Sequence, residues 1–221
     1  MAAGKRLFVG ARVSVQTANA LAAAAETLQR RAKDAGIVLK WVAPVSYHVT
    51  LKFLGWTRED AIDAVRDALD TAVIGAPAVK FRCARLGAFP SLDKASVLWA
   101  GVDHALDDIA ARVERAMVGL GFAAETRAFH GHVTLARVRE TRSLRELVLP
   151  LSEQMFSDTK IDAVTLLESE TKSSGSVYKE LHRSVFKSAE TTAQTTLWRQ
   201  TGAVELGDDT DDGWPRGHQG S

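Results

Sequence analysis

Two stretches decide how this chain is read: SYHVTLKFLG, from Ser46 to Gly55, and FHGHVTLARVR, from Phe129 to Arg139. Both contain the tetrapeptide HVTL, at His48–Leu51 and at His132–Leu135. The chain has only six histidines, and two of them would share VTL by chance roughly one time in a hundred, a limited false-positive risk for a short motif. Side chains alternate between the faces of a strand. His48 and Thr50 therefore share one face, and Val49 and Leu51 the other; His132, Thr134, Val133 and Leu135 divide in the same way. Valine and leucine supply a buried face that pins the register, since a slip of one residue would drive histidine into the core. Each copy presents an imidazole and a hydroxyl together.

Outward from the motifs, the chain repeats an order. Lys5 to Val15 reads as a strand, and Thr17 as the cap of an alanine-rich helix that ends at Gly36. IVLKWV and SYHVTLKFLG follow as strands separated by Pro44. Thr57 and Asp60 form a capping-box pattern before a helix over about 58–74, in which Ile62, Val65 and Leu69 keep helical spacing. In the second half, KFRCARLGAF and SVLWAGV read as strands and His104 to Val118 as a helix. His130 to Val138 is then the second motif strand, and Leu144 to Leu149 a short helix. Lys160 to Glu168 and Ser176 to Phe186 predict a hairpin across Ser173, Ser174 and Gly175.

Strand, helix and HVTL strand thus occur twice, which predicts a duplicated unit. The expected fold class is α+β. Two pseudo-symmetric lobes, each an antiparallel-rich sheet with helices on its outer face, flank a central cleft. The lobes are expected at roughly 1–77 and 78–188, with exchange of strands between them left open. The polar tail over 189–221 is expected to be disordered or loosely attached.

Composition narrows the class. Hydrophobic content of 46% and charged content of 25% are those of a soluble globular protein. The net charge of +1, from 28 basic and 27 acidic side chains, provides no global field for bulk nucleic-acid binding, although a local basic groove remains open. A single cysteine, Cys83, rules out an internal disulfide and reads as a packing residue in a strand-like run. MAAGKRLFVGARV lacks the apolar core of a signal peptide, and no run approaches the ~18 apolar residues of a membrane span. A cytoplasmic monomer with no membrane association is the expectation.

Two imidazoles related by a pseudo-twofold axis suit a reaction with one general base and one general acid. An unperturbed pKa of about 6.5 lets one ring be neutral while the other is protonated. In-line displacement at a phosphodiester needs such a pair on opposite sides of phosphorus. One ring takes a proton from incoming water and the other protonates the departing ribose oxygen, each transfer contributing about 10²- to 10⁴-fold. The hydroxyls of Thr50 and Thr134 would donate to the non-bridging oxygens. The scheme requires neither metal nor cofactor. The symmetry of the motifs leaves open which histidine is the acid.

The paired H-x-T strands resemble the 2H phosphoesterases. RLFVG near the start, HVTLKFLG, FHGHVTLAR and LLESETKSSGSVYKEL resemble, within that superfamily, the bacterial and archaeal RNA 2′,3′-cyclic phosphodiesterases, also described as 2′–5′ RNA ligases. The likeness extends over about residues 5–187. It implies a LigT-like fold and a role in RNA processing on RNA ends or nucleotides that carry a 2′,3′-cyclic phosphate, opened to a 2′-phosphomonoester. It makes His48 the proton donor and His132 the proton acceptor. With an RNA hydroxyl replacing water, the reversible reaction gives 2′–5′ ligation. Two rivals stand beside this reading: a phosphodiesterase for another small cyclic nucleotide or oligonucleotide, and a non-catalytic RNA- or nucleotide-binding module. Intact His and Thr in both motifs argue against the second.

Other residues carry paired readings. His130, two before His132, would share its strand face and shape the pocket or orient a neighbour; as half of an H-x-H metal pair it lacks further ligands marked by spacing. Arg137 completes H-x-T-x-x-R and reads as a phosphate or RNA contact or as a solvated arginine, with strand parity placing it opposite His132 unless the strand bulges. Lys52 shares the parity of His48, so it reads either as an RNA contact or as a solvated lysine. Tyr178 matches a tyrosine of the resembled family and would stack, hydrogen-bond or simply be buried. Trp56 is a pocket-rim candidate, and Trp99 is expected in the core.

Overall fold

Alternation in GKRLFVGAR produces β1 (Gly4–Arg12), whose Leu7, Val9 and Ala11 enter the core. The computed structural model describes residues 3–172 and 175–186, all within one compact unit spanning Met1–Ser188. After β1 come α1 (Val15–Asp34), β2 (Leu39–Trp41), β3 (His48–Arg58), α2 (Ile62–Val73), β4 (Val79–Phe89) and β5 (Ala95–Val102). The chain continues through α3 (Asp107–Gly119), β6 (His132–Arg142), the short α4 (Arg145–Val148), β7 (Met155–Ile161), β8 (Ala163–Lys172) and β9 (Gly175–Val185). The polar tail over 189–221, and Ser173 and Ser174 of the expected turn, lie outside the described residues.

The nine strands form one sheet in the order β7-β4-β5-β6-β3-β1-β8-β9, with β2 added beside β6, and every pair is antiparallel. The motif strands β3 and β6 stand at its centre. On one side of them lie β5, β4 and β7; on the other lie β1, β8 and β9. The C-terminal hairpin therefore completes the half-sheet that the N-terminus begins. Its β8 pairs Thr165–Glu168 with Leu7–Gly10 of β1. The fold is α+β with two pseudo-symmetric halves, as the duplicated order predicts.

One face of the sheet carries the helices. Leu21 and Leu28 of α1, Val65 and Leu69 of α2, and Ile109, Val113 and Met117 of α3 share a single core with Val49, Leu51, Val133 and Leu135. Burying each such leucine fully contributes roughly 1.5–3 kcal/mol, so the motif valines and leucines hold the register while the opposite face is left for chemistry. Cys83 is fully buried, and burial pushes its thiol up to about 12, in keeping with a packing role.

Several boundaries differ from expectation. The cap of α1 is Ser14, whose Oγ accepts from the Thr17 amide, while Thr17 is buried and bonded to Thr159. Thr57 does not cap α2: β3 runs through it to Arg58, and its hydroxyl donates to the Gly55 carbonyl. Strand pairing with β1, which continues to the Gly4–Arg58 pair, outcompetes the local capping pattern. Lys160 and Ile161 belong to β7 and pair with β4, so the hairpin begins only at Ala163.

Candidate active site

The two motif strands meet at one residue pair, Val49 opposite Val133. Both valines are fully buried on the helix side. Continuing that antiparallel register sets His48 opposite Thr134 and Thr50 opposite His132, with all four on the helix-free face. The two histidines are then diagonal neighbours, whose backbones are typically about 7–8 Å apart.

Each imidazole is oriented by its own chain. His48 Nδ1 lies 2.7 Å from the Ser46 carbonyl oxygen, and His132 Nδ1 lies 2.7 Å from that of His130. A carbonyl can only accept, so in both rings Nδ1 carries the hydrogen. Nε2 is thereby left to act as base when the ring is neutral, and as acid when it is protonated. The 3-10 turn at Pro44–Ser46 brings the first carbonyl into position, and the residues just before β6 bring the second.

A β-bulge interrupts both motif strands at the same place. Along β3, Val9 pairs with Lys52 and Gly10 with Thr50, which leaves Leu51 as the extra residue. Along β6, Leu98 pairs with Ala136 and Trp99 with Thr134, which leaves Leu135 extra. Beyond each bulge the parity inverts. Leu51 and Lys52 are both buried, as are Leu135 and Ala136, so Phe53 and Arg137 emerge on the face of the histidines.

Simple alternation therefore misplaces two residues. Arg137 lies on the histidine face rather than opposite it. Lys52 does not share that face: its side chain is 4% exposed on the core side, and its Nζ donates to Glu114 Oε2 at 2.7 Å and to the Ala123 carbonyl at 2.9 Å. Both readings of Lys52 as an exposed cation are overturned.

Aromatic rings wall the two imidazoles. His48 packs against Phe8 at 4.9 Å and edge-on against Tyr178 at 5.0 Å. His132 meets Phe89 edge-on at 4.9 Å, with Trp99 behind at 6.4 Å. Gly10 lets β1 pass beneath His48, since a Cβ there would lie 3.1 Å from the Val49 carbonyl and 3.4 Å from the ring. Gly87 lets the Trp99 indole lie flat across β4, where a Cβ would come within 2.3 Å of it. Among the described residues, no group of three or more His, Cys, Asp or Glu side chains is arranged to hold a metal ion. No helix there is long and apolar enough to cross a membrane.

A family model described as LigT like phosphoesterase matches residues 13–99 and 100–178. The chain belongs to this family. Among its relatives, an RNA 2′,3′-cyclic phosphodiesterase of Aeropyrum pernix is 32% identical over 153 residues, which span 66% of this chain and 86% of that one. Among solved structures, a Thermus thermophilus protein covers 83% of this chain and 99% of its own length at 20% identity and a TM-score of 0.71. Escherichia coli LigT complexed with 3′-AMP covers 82% and 97% at 21% identity and a TM-score of 0.62. These two likenesses are of fold.

In this LigT-like phosphoesterase, both imidazoles are biased toward neutrality. Burial lowers His48 to about 4, with the cations Arg12 and Arg137 and the facing His132 adding to the depression against the Ser46 hydrogen bond. His132 is lowered chiefly by burial, then by His130 and Arg137. The remaining sequence candidates are divided by the structure. Tyr178 is half-buried and touches His48 and Phe8 through its ring. His130 precedes β6 instead of sharing the strand face of His132, because pairing with β5 begins only at the Gly101–His132 pair. Its carbonyl orients His132, while its exposed ring packs on Trp99 at 5.1 Å. Trp99 turns out of the core toward the histidines.

Sequence reasoning missed Phe8, Phe53, Phe89 and Lys40. Lys40 pairs with Arg137 across β2 and β6 and is exposed. The equivalence of HVTLKF with HVTLAR marks Phe53 as the counterpart of Arg137 once the bulge is known.

Proposed function

We propose that the chain hydrolyses RNA or nucleotide 2′,3′-cyclic phosphate ends to 2′-phosphomonoesters by metal-independent acid–base catalysis. The observation that carries this reading is the pair of Nδ1-anchored imidazoles flanking one seam, each with a threonine across from it. His132 Nε2 takes a proton as water oxygen attacks phosphorus. The bond from phosphorus to O3′ breaks, and His48 Nε2–H delivers its proton to that oxygen. The protons on the two rings are then reset by exchange with solvent. Thr50 and Thr134 donate to the non-bridging oxygens, where charge accumulates. The Arg137 guanidinium adds a cation on the same face.

A neutral His48 cannot be the acid, and burial favours the neutral form. The anionic phosphate reverses this bias by supplying the opposite charge beside the ring, so protonation of His48 accompanies substrate binding. The name of the Aeropyrum pernix relative supports the substrate class. With an RNA 5′-hydroxyl in place of water, the same attack on phosphorus and departure of O3′ leave a 2′–5′ linkage, so the same groups support 2′–5′ ligation, and the reverse of that step cleaves the linkage.

The test is incubation with RNA ending in a 2′,3′-cyclic phosphate in the presence of EDTA. The expected product is the 2′-monophosphate. His48→Ala and His132→Ala should each lower kcat by about 10²- to 10⁴-fold with unchanged circular dichroism. Turnover only on a different diester, or binding without turnover, would replace this reading, and an active single variant would refute the paired roles.

A further inference from the structure

The helix-free face continues well past the histidines along β1 and β3, and what lies there is not needed to hold one phosphate. On β1, Arg12, Gly10, Phe8, Arg6 and Gly4 alternate onto this face. Their partners on β3 are His48, Thr50, Phe53, Trp56 and Arg58. A second register shift, between Leu7 and Phe8, keeps Trp56 on the side of Phe53. Phe53 is 66% exposed and Trp56 is 71% exposed, although both are large apolar rings on a paired central strand. Phe8 connects them to the site, since its ring lies 6.1 Å from Phe53 and 4.9 Å from His48. Arg6, opposite Trp56, is exposed, and its guanidinium makes no hydrogen bond or ion pair among the described residues.

Exposed aromatic rings in succession, flanked by an unpaired cation, are what a single nucleic-acid strand requires: faces for the bases and a positive charge for the backbone. The two halves are unlike in this respect. At the position equivalent to Phe53, the other half carries Arg137, with Lys40 opposite it. The asymmetry matches the direction of the substrate. If His48 protonates the departing ribose oxygen, the nucleoside and everything attached to its 5′ side must lie on the His48 half, which is the half that carries the exposed rings of Phe53 and Trp56.

We infer that Phe53, Trp56 and Arg6 form a stacking track for the nucleotides preceding the cyclic phosphate, so that the preferred substrate is a single-stranded oligoribonucleotide end rather than a mononucleotide. The inference rests on the proposed phosphodiesterase reading and names its substrate class. At about 3.3 Å per strand residue, Arg6 and Trp56 lie about 20 Å along the strand from the Arg12–His48 pair. A mononucleotide at the histidines does not reach them; a strand of a few nucleotides does.

The test measures binding and turnover side by side on the full chain. Binding is read with 2′-phosphate-terminated oligoribonucleotides of one to five nucleotides, and turnover with the matching 2′,3′-cyclic phosphates. Affinity should rise with length, and Trp56→Ala should lose on the order of tenfold for the longer oligomers, as expected for one lost stacking contact. The same substitution should leave mononucleotide binding and turnover unchanged. Arg6→Gln should flatten the salt dependence of oligomer binding. Affinity independent of length, or an equal loss on short and long ligands in Trp56→Ala, would overturn the track. Absence of turnover on every substrate would instead remove the phosphodiesterase reading, and binding would still decide the track.

Discussion

His48 shows how a single side chain links chemistry to stability. Its folded-state pKa of about 4 lies below the ordinary imidazole value near 6.5. Between those limits the unfolded chain binds the extra proton and the folded chain does not. Stability is therefore fully present above about 6.5 and falls as pH drops toward 4. Urea unfolding over that window should show the fall, and His48→Asn should reduce its slope; an unchanged slope would mean the ring is not held neutral by its surroundings. Arg137 acts on the same rings in a way that can be separated. Its charge depresses both imidazoles, so Arg137→Gln should move both titrations upward when followed by NMR of the ring protons. The histidines and threonines could be read from the sequence because a repeated tetrapeptide with period-two alternation leaves few alternatives. The aromatic walls could not, because Phe8, Phe89 and Trp99 look like ordinary core residues until strand order sets them beside an imidazole.

At the scale of the element, the motif strands are defined as much by their bulges as by their histidines. One extra residue in each strand brings Arg137 to the chemical face and sends Lys52 inward. The inward lysine is held by Glu114, whose carboxylate also accepts from the Glu125 amide at 2.9 Å. Burial alone would raise Glu114, but the hydrogen bonds from Lys52 and that amide outweigh it and hold it below its ordinary value. The pair ties β3 to α3 and to the segment that leads to His130. Lys52→Ala should destabilise the fold by about 2–3 kcal/mol, less than for a fully buried pair because Glu114 is 29% exposed. A chemical denaturation midpoint within the range of surface lysines, about ±0.5 kcal/mol, would show that the bridge is not structural. Element types were legible from periodicity, but alternation cannot reveal a bulge, since the sequence on either side of it looks continuous.

Across the described residues, the hairpin of β8 and β9 joins the last strands to the first, β1. Val164, Leu166 and Leu167 are essentially buried, and β8 covers the edge of β1 that carries Phe8. A chain ending at Asp162 should therefore lack a cooperative unfolding transition by circular dichroism, whereas retention of one would mean that the first half-sheet closes without its last strands. The duplicated order announced two related halves. It did not announce which half receives the hairpin, because strand pairing between distant segments leaves no local periodicity.

The shared bulge creates two equivalent sockets three residues beyond the threonines, one holding a benzyl ring and the other a guanidinium. Exchanging their contents would keep the inventory of the cleft constant while mirroring it about the dyad. The protein thus contains its own control for handedness: if the unlike sockets set which way a substrate lies, the exchanged chain should turn it around.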